Sequence, residues 1–290
     1  MSGADNKTVS ACYICGKDAR RGGEKNGHAL FRCSLCGFLF VSPLPPSVAD
    51  IYGKDYFVGA KKGFGYVDYD TDKGPMIPTF KKYLQLIREV LDGEGALLDV
   101  GAATGFFVSL AREAGFDASG VELSGHAASR ARERGLDVRR GTLADISGTY
   151  DVITMLDLIE HVPYPRADVR KAALLLRPGG ILAINTPDAG SLLARLMGLK
   201  WHLIVPPEHL YYFNRKNIGL LLEQEKFDVV LDTTIGKSFT LPYVLITLHK
   251  WTKVSLFARL ASMIARMPLS RISIPLNLRD NMFILARKRA

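Results

Sequence analysis

From Thr79 onward helical and strand patterns alternate at regular lengths, and this alternation constrains the fold more than any other feature of the chain. "TFKKYLQLIREVLDG" predicts a helix with a glycine stop, "ALLDVGA" a buried strand, "TGFFVSLAREAGF" a helix and "DASGVELS" a strand. "SGHAASRARERG" predicts a helix capped by Ser124 and stopped by Gly135. "LDVRRGTL" and "YDVITMLD" follow, then the helix "RADVRKAALLLRPGG" and the strand "ILAINTP". Strands separated by helices of this length form a doubly wound, mostly parallel α/β sheet, because a parallel neighbour is reached only through a crossover. Beyond "ILAINTP", "EHLYYFNRKNIGLLLEQEKF" reads as a helix-rich connection, with later strands at "DVVLDTTI" and "NMFILARK".

The cysteines set a second constraint. All four lie near the N-terminus as Cys12-x2-Cys15 and Cys33-x2-Cys36, with 17 residues between the pairs. Two such knuckles let four thiolates converge on one tetrahedral ion, and Gly16 and Gly37 suit the tight turns that aim backbone amides at sulfur. The reading is a structural zinc ribbon in residues 1–45 with Cys12, Cys15, Cys33 and Cys36 as ligands. Two disulfides or a redox pair are the alternatives. The N-terminal stretch lacks the apolar core of a secretory signal, which predicts a cytoplasmic chain and argues against disulfides. A closed four-cysteine site leaves no coordination position for chemistry.

Residues 46–78 begin with a proline-rich linker, "VSPLPPSVAD", and continue without helical or strand period. Tyr52, Tyr56, Phe57, Phe64, Tyr66 and Tyr69 make this segment a candidate lid rather than a loose tether. A catalytic domain then spans 79–290, with a helical insertion at about 236–278. Within the insertion, Ser255, Arg259, Ser262 and Arg266 form a narrow polar stripe opposite Phe257, Leu260, Met263, Ile264 and Met267. Such a helix packs on its own sheet or lies on a membrane surface. The longest uncharged apolar run there, "SFTLPYVLITL", is 11 residues and too short to span a bilayer. A net charge of +9 favours anionic partners without choosing among nucleic acid, membrane and a phosphorylated acceptor.

The glycine hairpin after "LLDV" narrows the ligand. A dinucleotide fingerprint needs G-x-G-x-x-G, but from Gly101 the second glycine position is Ala103 and the third is Phe106. What remains is Asp99 at the strand end, a turn with Gly101 and Gly105, and Glu122 ending the next strand. An acid at that point accepts both hydroxyls of a ribose, so the ligand is a nucleoside that need not carry a pyrophosphate.

"LLDVGAATG", "GVELS", "GTLADI", "YDVITMLDLIEHVPYP" and "LRPGGILAINTP", in that order, resemble the class I S-adenosylmethionine-dependent methyltransferases, within the branch of the ubiquinone-biosynthesis O-methyltransferases and bacterial relatives with an N-terminal cysteine ribbon. The resemblance implies a seven-stranded Rossmann-like sheet and S-adenosylmethionine as cofactor. It places Gly101, Ala102 and Gly105 against the methionyl part, Glu122 on the ribose, Asp99 near the amino group, and Leu143 and Asp145 beside the adenine. Leu156 and Asp157 would close the floor near the sulfonium, and Lys81 would meet the cofactor carboxylate. Ala103 departs from the glycine the family often carries there.

A hydroxyl acceptor needs its proton removed, and histidine suits that task near neutral pH. His161 in "IEHVPYP" and His209 in "VPPEHLYYF" both fall beyond strand ends, with Glu160 or Glu208 placed to orient an imidazole. Trp201, Tyr211, Tyr212 and Phe213 either wall an acceptor pocket or belong to the core. The expected activity is O-methylation of a small-molecule, glycan or lipid-linked acceptor, with peripheral membrane contact through the amphipathic insertion. A zinc-ribbon RNA methyltransferase and a non-catalytic cofactor-binding module are the competing readings, nucleic acid being disfavoured by the dispersal of the basic residues.

Overall fold

The computed structural model describes residues 9–45, 73–265, 267 and 272–290, so the segment read as a lid lies largely outside the described residues. The first strands are β1 (Val9–Ala11), β2 (Asp18–Lys25), β3 (His28–Cys33) and β4 (Leu39–Val41). Helix α1 (Ile77–Leu91) leads into β5 (Ala96–Val100), α2 (Phe106–Glu113), β6 (Asp117–Glu122), α3 (Gly125–Glu133), β7 (Val138–Arg140) and β8 (Tyr150–Leu156). Next come α4 (Pro165–Leu175), β9 (Leu176–Pro187), α5 (Leu192–Met197), β10 (Tyr211–Tyr212), α6 (Arg215–Gln224) and β11 (Phe227–Thr233). The chain ends with β12 (Lys237–Thr240), α7 (Leu241–Thr252), α8 (Ser255–Ile264), β13 (Ser273–Leu276) and β14 (Asn281–Lys288).

Seven strands form one sheet in the order β11-β14-β9-β8-β5-β6-β7, with β14 antiparallel to both neighbours and the remaining pairs parallel. The expected doubly wound α/β sheet is therefore present. Its two faces follow from strand periodicity. Leu97, Val152, Ile181, Ala183, Phe283 and Leu285 pack with Tyr83 and Ile87 of α1, Val108 and Ala111 of α2, and Ala128 of α3. The alternate residues Leu98, Ile153, Leu182, Ile184 and Ile284 pack with Val169 and Ala172 of α4 and Ile218 and Leu221 of α6. Tyr83 stacks on Phe283 at 4.3 Å, pinning α1 across the antiparallel edge.

The cysteine-bearing strands form a five-stranded sheet, β1-β2-β3-β4-β10, whose last member comes from the late segment "HLYYF". Tyr211 pairs with Phe40 and Tyr212 with Leu39. Phe38, Phe40, Tyr211 and Phe213 join the same apolar cluster as the α4/α6 face of the large sheet. The segment expected as a helix-rich connection thus opens with a strand, because its aromatics complete the ribbon before α6 begins. Trp201, Tyr211, Tyr212 and Phe213 are each no more than 1% exposed. Of the two readings of these aromatics, core is the one the structure supports.

The C-terminal insertion stands on an antiparallel stem, β12 with β13, that carries α7 and α8. Among the described residues no helix is long and apolar enough to cross a membrane.

Candidate active site

The two CxxC turns are built alike. Gly16 N–H donates to the Cys12 carbonyl and Gly37 N–H to the Cys33 carbonyl, both glycines having φ near +70°. A side chain rarely adopts that backbone, so glycine closes each turn. The Ile14 and Cys15 amides point at Cys12, and the Leu35 and Cys36 amides at Cys33. The sulfurs approach at 3.4 Å (Cys15–Cys33), 3.6 Å (Cys12–Cys36) and 3.7 Å (Cys15–Cys36), and all four lie within 4.8 Å of one another. Four sulfurs each ~2.3 Å from a tetrahedral ion would lie about 3.8 Å apart, so the donor set fits such an ion. No pair is at the bonding distance of a disulfide, and all four cysteines are free.

The second site begins where β5 ends. Gly101 and Ala102 N–H both donate to the Val121 carbonyl, tying the hairpin to β6. Glu122 accepts Ala103 N–H at 2.9 Å and Ser124 N–H at 2.7 Å, so its carboxylate already braces the hairpin. Asp99 accepts the Thr154 hydroxyl at 2.5 Å, and burial pushes its carboxyl up to about 7 against that hydrogen bond. Asp99, Gly101, Ala102, Phe106, Phe107, Leu156 and Asp157 line one pocket together with Lys73 and Phe80. The pocket lies between the carboxyl ends of β5 and β8, where strand order reverses and ligands bind in such sheets.

Several expected residues fall elsewhere. Lys81 is exposed on α1 and lines a different groove with Gln85, Arg88 and Glu113; the lysine that reaches the pocket is Lys73. The ungapped register pointed to Lys81, whereas the basic residue lining the pocket between β5 and β8 is Lys73. Leu143 is buried in the core, while exposed Asp145 accepts Thr142 N–H and Oγ1 at 2.8 Å and so caps its own turn. Gly105 caps α2 one residue before the pocket-lining Phe106.

Beyond β8 the chain turns at Asp157, whose φ is +53°. Lys237 Nζ, from the insertion stem, lies 2.8 Å and 2.9 Å from its two oxygens, and Asn185 also donates to it. Burial works to raise the Asp157 carboxyl, but Lys237 and Lys73 outweigh it and hold the group below its ordinary range. Sequence reading missed Lys237 because it sits 80 residues from its partner, inside a segment read only as amphipathic.

The two histidines meet in this same region, their rings 4.7 Å apart and edge to face. His161 Nδ1 donates to the Glu208 carbonyl and His209 Nδ1 to the Leu203 carbonyl, each at 2.8 Å. The main-chain carbonyl of Glu208 therefore orients His161. Glu160 is 1% exposed, accepts the Thr186 hydroxyl at 2.8 Å and lies 3.8 Å from His161 Nε2. Burial pushes the Glu160 carboxyl up to about 8 and the His209 imidazole down to about 3, with His161 also lowered. An imidazole that resists protonation this strongly is a weak general base. Glu160, His161 and His209 offer ligand atoms within 4.8 Å of one another, a second set able to hold a metal.

A family model described as "Methyltransferase domain" matches residues 76–231, more than half of the chain. The chain belongs to the methyltransferase domain family. This bears out the resemblance to the S-adenosylmethionine-dependent enzymes read from the ordered motifs. Among curated proteins, the methyltransferase domain is 29% identical over 142 residues to a ubiquinone biosynthesis O-methyltransferase of Bordetella avium, covering 45% of this chain and 58% of that one. The Methylococcus capsulatus enzyme of the same name is 32% identical over 128 residues, covering 40% and 54%. The chain thus spans little more than half the length of these relatives. Among solved structures, magnesium protoporphyrin IX methyltransferase of Synechocystis with bound SAH superposes with a TM-score of 0.50 at 14% identity, covering 78% of this chain and 90% of that one. At that identity the likeness shows the fold of the methyltransferase domain.

Proposed function

We propose that the protein transfers a methyl group from S-adenosylmethionine to an oxygen of a small-molecule, glycan or lipid-linked acceptor, and that Cys12, Cys15, Cys33 and Cys36 hold a structural Zn2+. The observation that carries the reading is the pocket at the strand-order reversal, lined by Asp99, Gly101, Ala102, Leu156 and Asp157, on a chain of this family. When bound, S-adenosylmethionine supplies a methyl carbon already activated by a sulfonium. Gly101 and Ala102 hold the methionyl part close to the backbone, Asp99 faces its amino group, and Lys73 rather than Lys81 meets its carboxylate. Glu122 retains lone pairs for ribose hydroxyls beyond the two amides it accepts. Leu143 and Asp145 border the adenine. Displacement at carbon depends on alignment and on exclusion of water, tasks for the pocket floor at Leu156 and for the insertion stem that delivers Lys237. His161 and His209 take the acceptor side. The zinc organises the ribbon of residues 1–45, and the lid of 46–78 leads into the catalytic domain of 79–290.

A lipid-linked acceptor is favoured by the insertion. Between Asp232 and Asp280 the sequence has no acid but carries Lys237, Lys250, Lys253, Arg259, Arg266, Arg271 and Arg279. Tyr243, Leu256 and Met263 on α7 and α8 are each more than half exposed. Exposed apolar side chains on a segment whose charged residues are all cationic suit an anionic bilayer surface.

The test is calorimetric titration with S-adenosylhomocysteine of zinc-replete wild type, Glu122→Gln and Glu122→Ala. Micromolar-range binding that weakens in Glu122→Gln and drops by about 10- to 100-fold in Glu122→Ala is expected for loss of a charged hydrogen-bond acceptor. Absence of binding in the wild type would sink the methyl-transfer reading.

A further inference from the structure

The insertion stem is fastened at three consecutive residues between β11 and β12. Ile235 packs with the apolar cluster that contains Phe80 and Tyr83 of α1. The Gly236 carbonyl accepts the Thr79 hydroxyl at 2.9 Å, and a β-carbon on Gly236 would lie 3.0 Å from both the Leu276 carbonyl oxygen and Asn277 Cβ. Lys237 then reaches both oxygens of Asp157, with only 18% of its side chain exposed. Asn185 of β9 donates to Asp157 Oδ1 and so fixes the carboxylate from the sheet. Lys73 also acts on Asp157, but it lines the pocket itself and is the residue assigned to the cofactor carboxylate. An ion pair so far removed from water returns little net stability, because both charges give up hydration. What the Lys237 pair changes is the charge that Asp157 presents to the pocket it lines.

We infer that Lys237 is a positioning residue for methyl transfer: it holds the Asp157 carboxylate in place at the pocket and cancels its charge toward the cofactor sulfonium. The inference rests on the methyl-transfer reading, in which the floor at Leu156 and Asp157 borders that sulfonium. Methyl transfer forms a C–O bond from an acceptor lone pair, breaks the C–S bond with its electron pair left on sulfur, and releases the acceptor's proton to water. The positive charge on sulfur is therefore dispersing in the transition state. A bare carboxylate beside it would stabilise the ground state more than the transition state and raise the barrier. With Lys237 paired to Asp157 the floor is polar without net charge, so the charged and discharged forms of the cofactor are held with little distinction. Lys237 lies beyond residues 76–231, which the family model matches, so the insertion rather than the matched domain supplies this charge balance.

The test is calorimetric titration of zinc-replete full-length protein with S-adenosylmethionine and with S-adenosylhomocysteine, which lacks the sulfonium charge. It is run at about pH 8, where a carboxylate without its lysine stays ionised. In Lys237→Gln, which keeps a hydrogen bond to Asp157 but removes the cation, the preference for S-adenosylmethionine over S-adenosylhomocysteine should rise about tenfold. Lys237→Arg should keep the wild-type ratio, and Lys237→Gln with Asp157→Asn should return to it because both charges are gone. Asp157→Asn alone leaves Lys237 uncompensated and should move the ratio the other way, which keeps the test decisive if Lys237→Gln loses its native circular dichroism. A merely structural lysine would weaken both ligands alike, so an unchanged ratio in folded variants overturns the assignment while the methyl-transfer reading stands. If wild type binds neither ligand, that reading falls and the assignment falls with it.

Discussion

Ala103 occupies a backbone conformation that glycine would adopt freely, with φ at +49° between Gly101 at +76° and Gly105 at +78°. A β-carbon in the left-handed region costs roughly 1–2 kcal/mol. Ala103→Gly is therefore expected to raise stability by up to about 1 kcal/mol, after its added chain entropy is offset, with denaturant unfolding as the measure. Asp99 sets a pH dependence. Its native carboxyl binds a proton more tightly than in the unfolded chain, because burial pushes it up to about 7 from 3.8. The native state thus holds more protons across that interval, and stability falls as pH rises from about 4 to about 7. Asp99→Asn should flatten this slope in chemical unfolding measured at several pH values; an unchanged slope would assign it to other groups. Both positions were visible in the sequence as an acid and a departure from glycine. Neither the Thr154 partner nor the positive φ was: the first arises only when β8 lies beside β5, and the second belongs to a hairpin held by Val121 and Glu122 of β6.

At the scale of elements, the strand periodicity was legible because each buried strand has to fill two helical layers at once. The short β12 and β13 were not, since four residues of mixed polarity give no period to read. The β10 pair was missed for a related reason: two tyrosines become a strand only when β4 supplies their partners. Gly105 tests how tightly α2 is seated. A β-carbon there would lie 2.6 Å from Leu136 Cδ1 and 3.2 Å from Ala131 Cβ, at a φ already unfavourable for alanine. Gly105→Ala should lower stability by about 2 kcal/mol and weaken S-adenosylhomocysteine binding, because the helix start supports the hairpin. Calorimetry of the folded variant separates the two effects.

For the whole molecule, the ribbon is coupled to the catalytic sheet through β10 and a shared apolar cluster. Stripping metal with a strong chelator should therefore lower the melting temperature of the entire chain in one cooperative step, and Cys33→Ser should do the same. An unchanged main transition would show that the ribbon unfolds alone. The acid-free insertion predicts binding to vesicles containing anionic lipid and little to neutral ones, measured by co-sedimentation and reduced by salt. Leu256→Asp with Met263→Asp should weaken that binding with thermal stability changed little, as both side chains are more than half exposed.

Residue order by itself determined the doubly wound sheet, the paired cysteine turns and the glycine hairpin after β5, because each is encoded by periodicity or spacing within a short window. Tertiary structure alone decided which lysine enters the pocket, that Lys237 reaches Asp157, and that Glu160, His161 and His209 converge. Those meetings join residues tens of positions apart, and no local propensity records a distance that only packing creates.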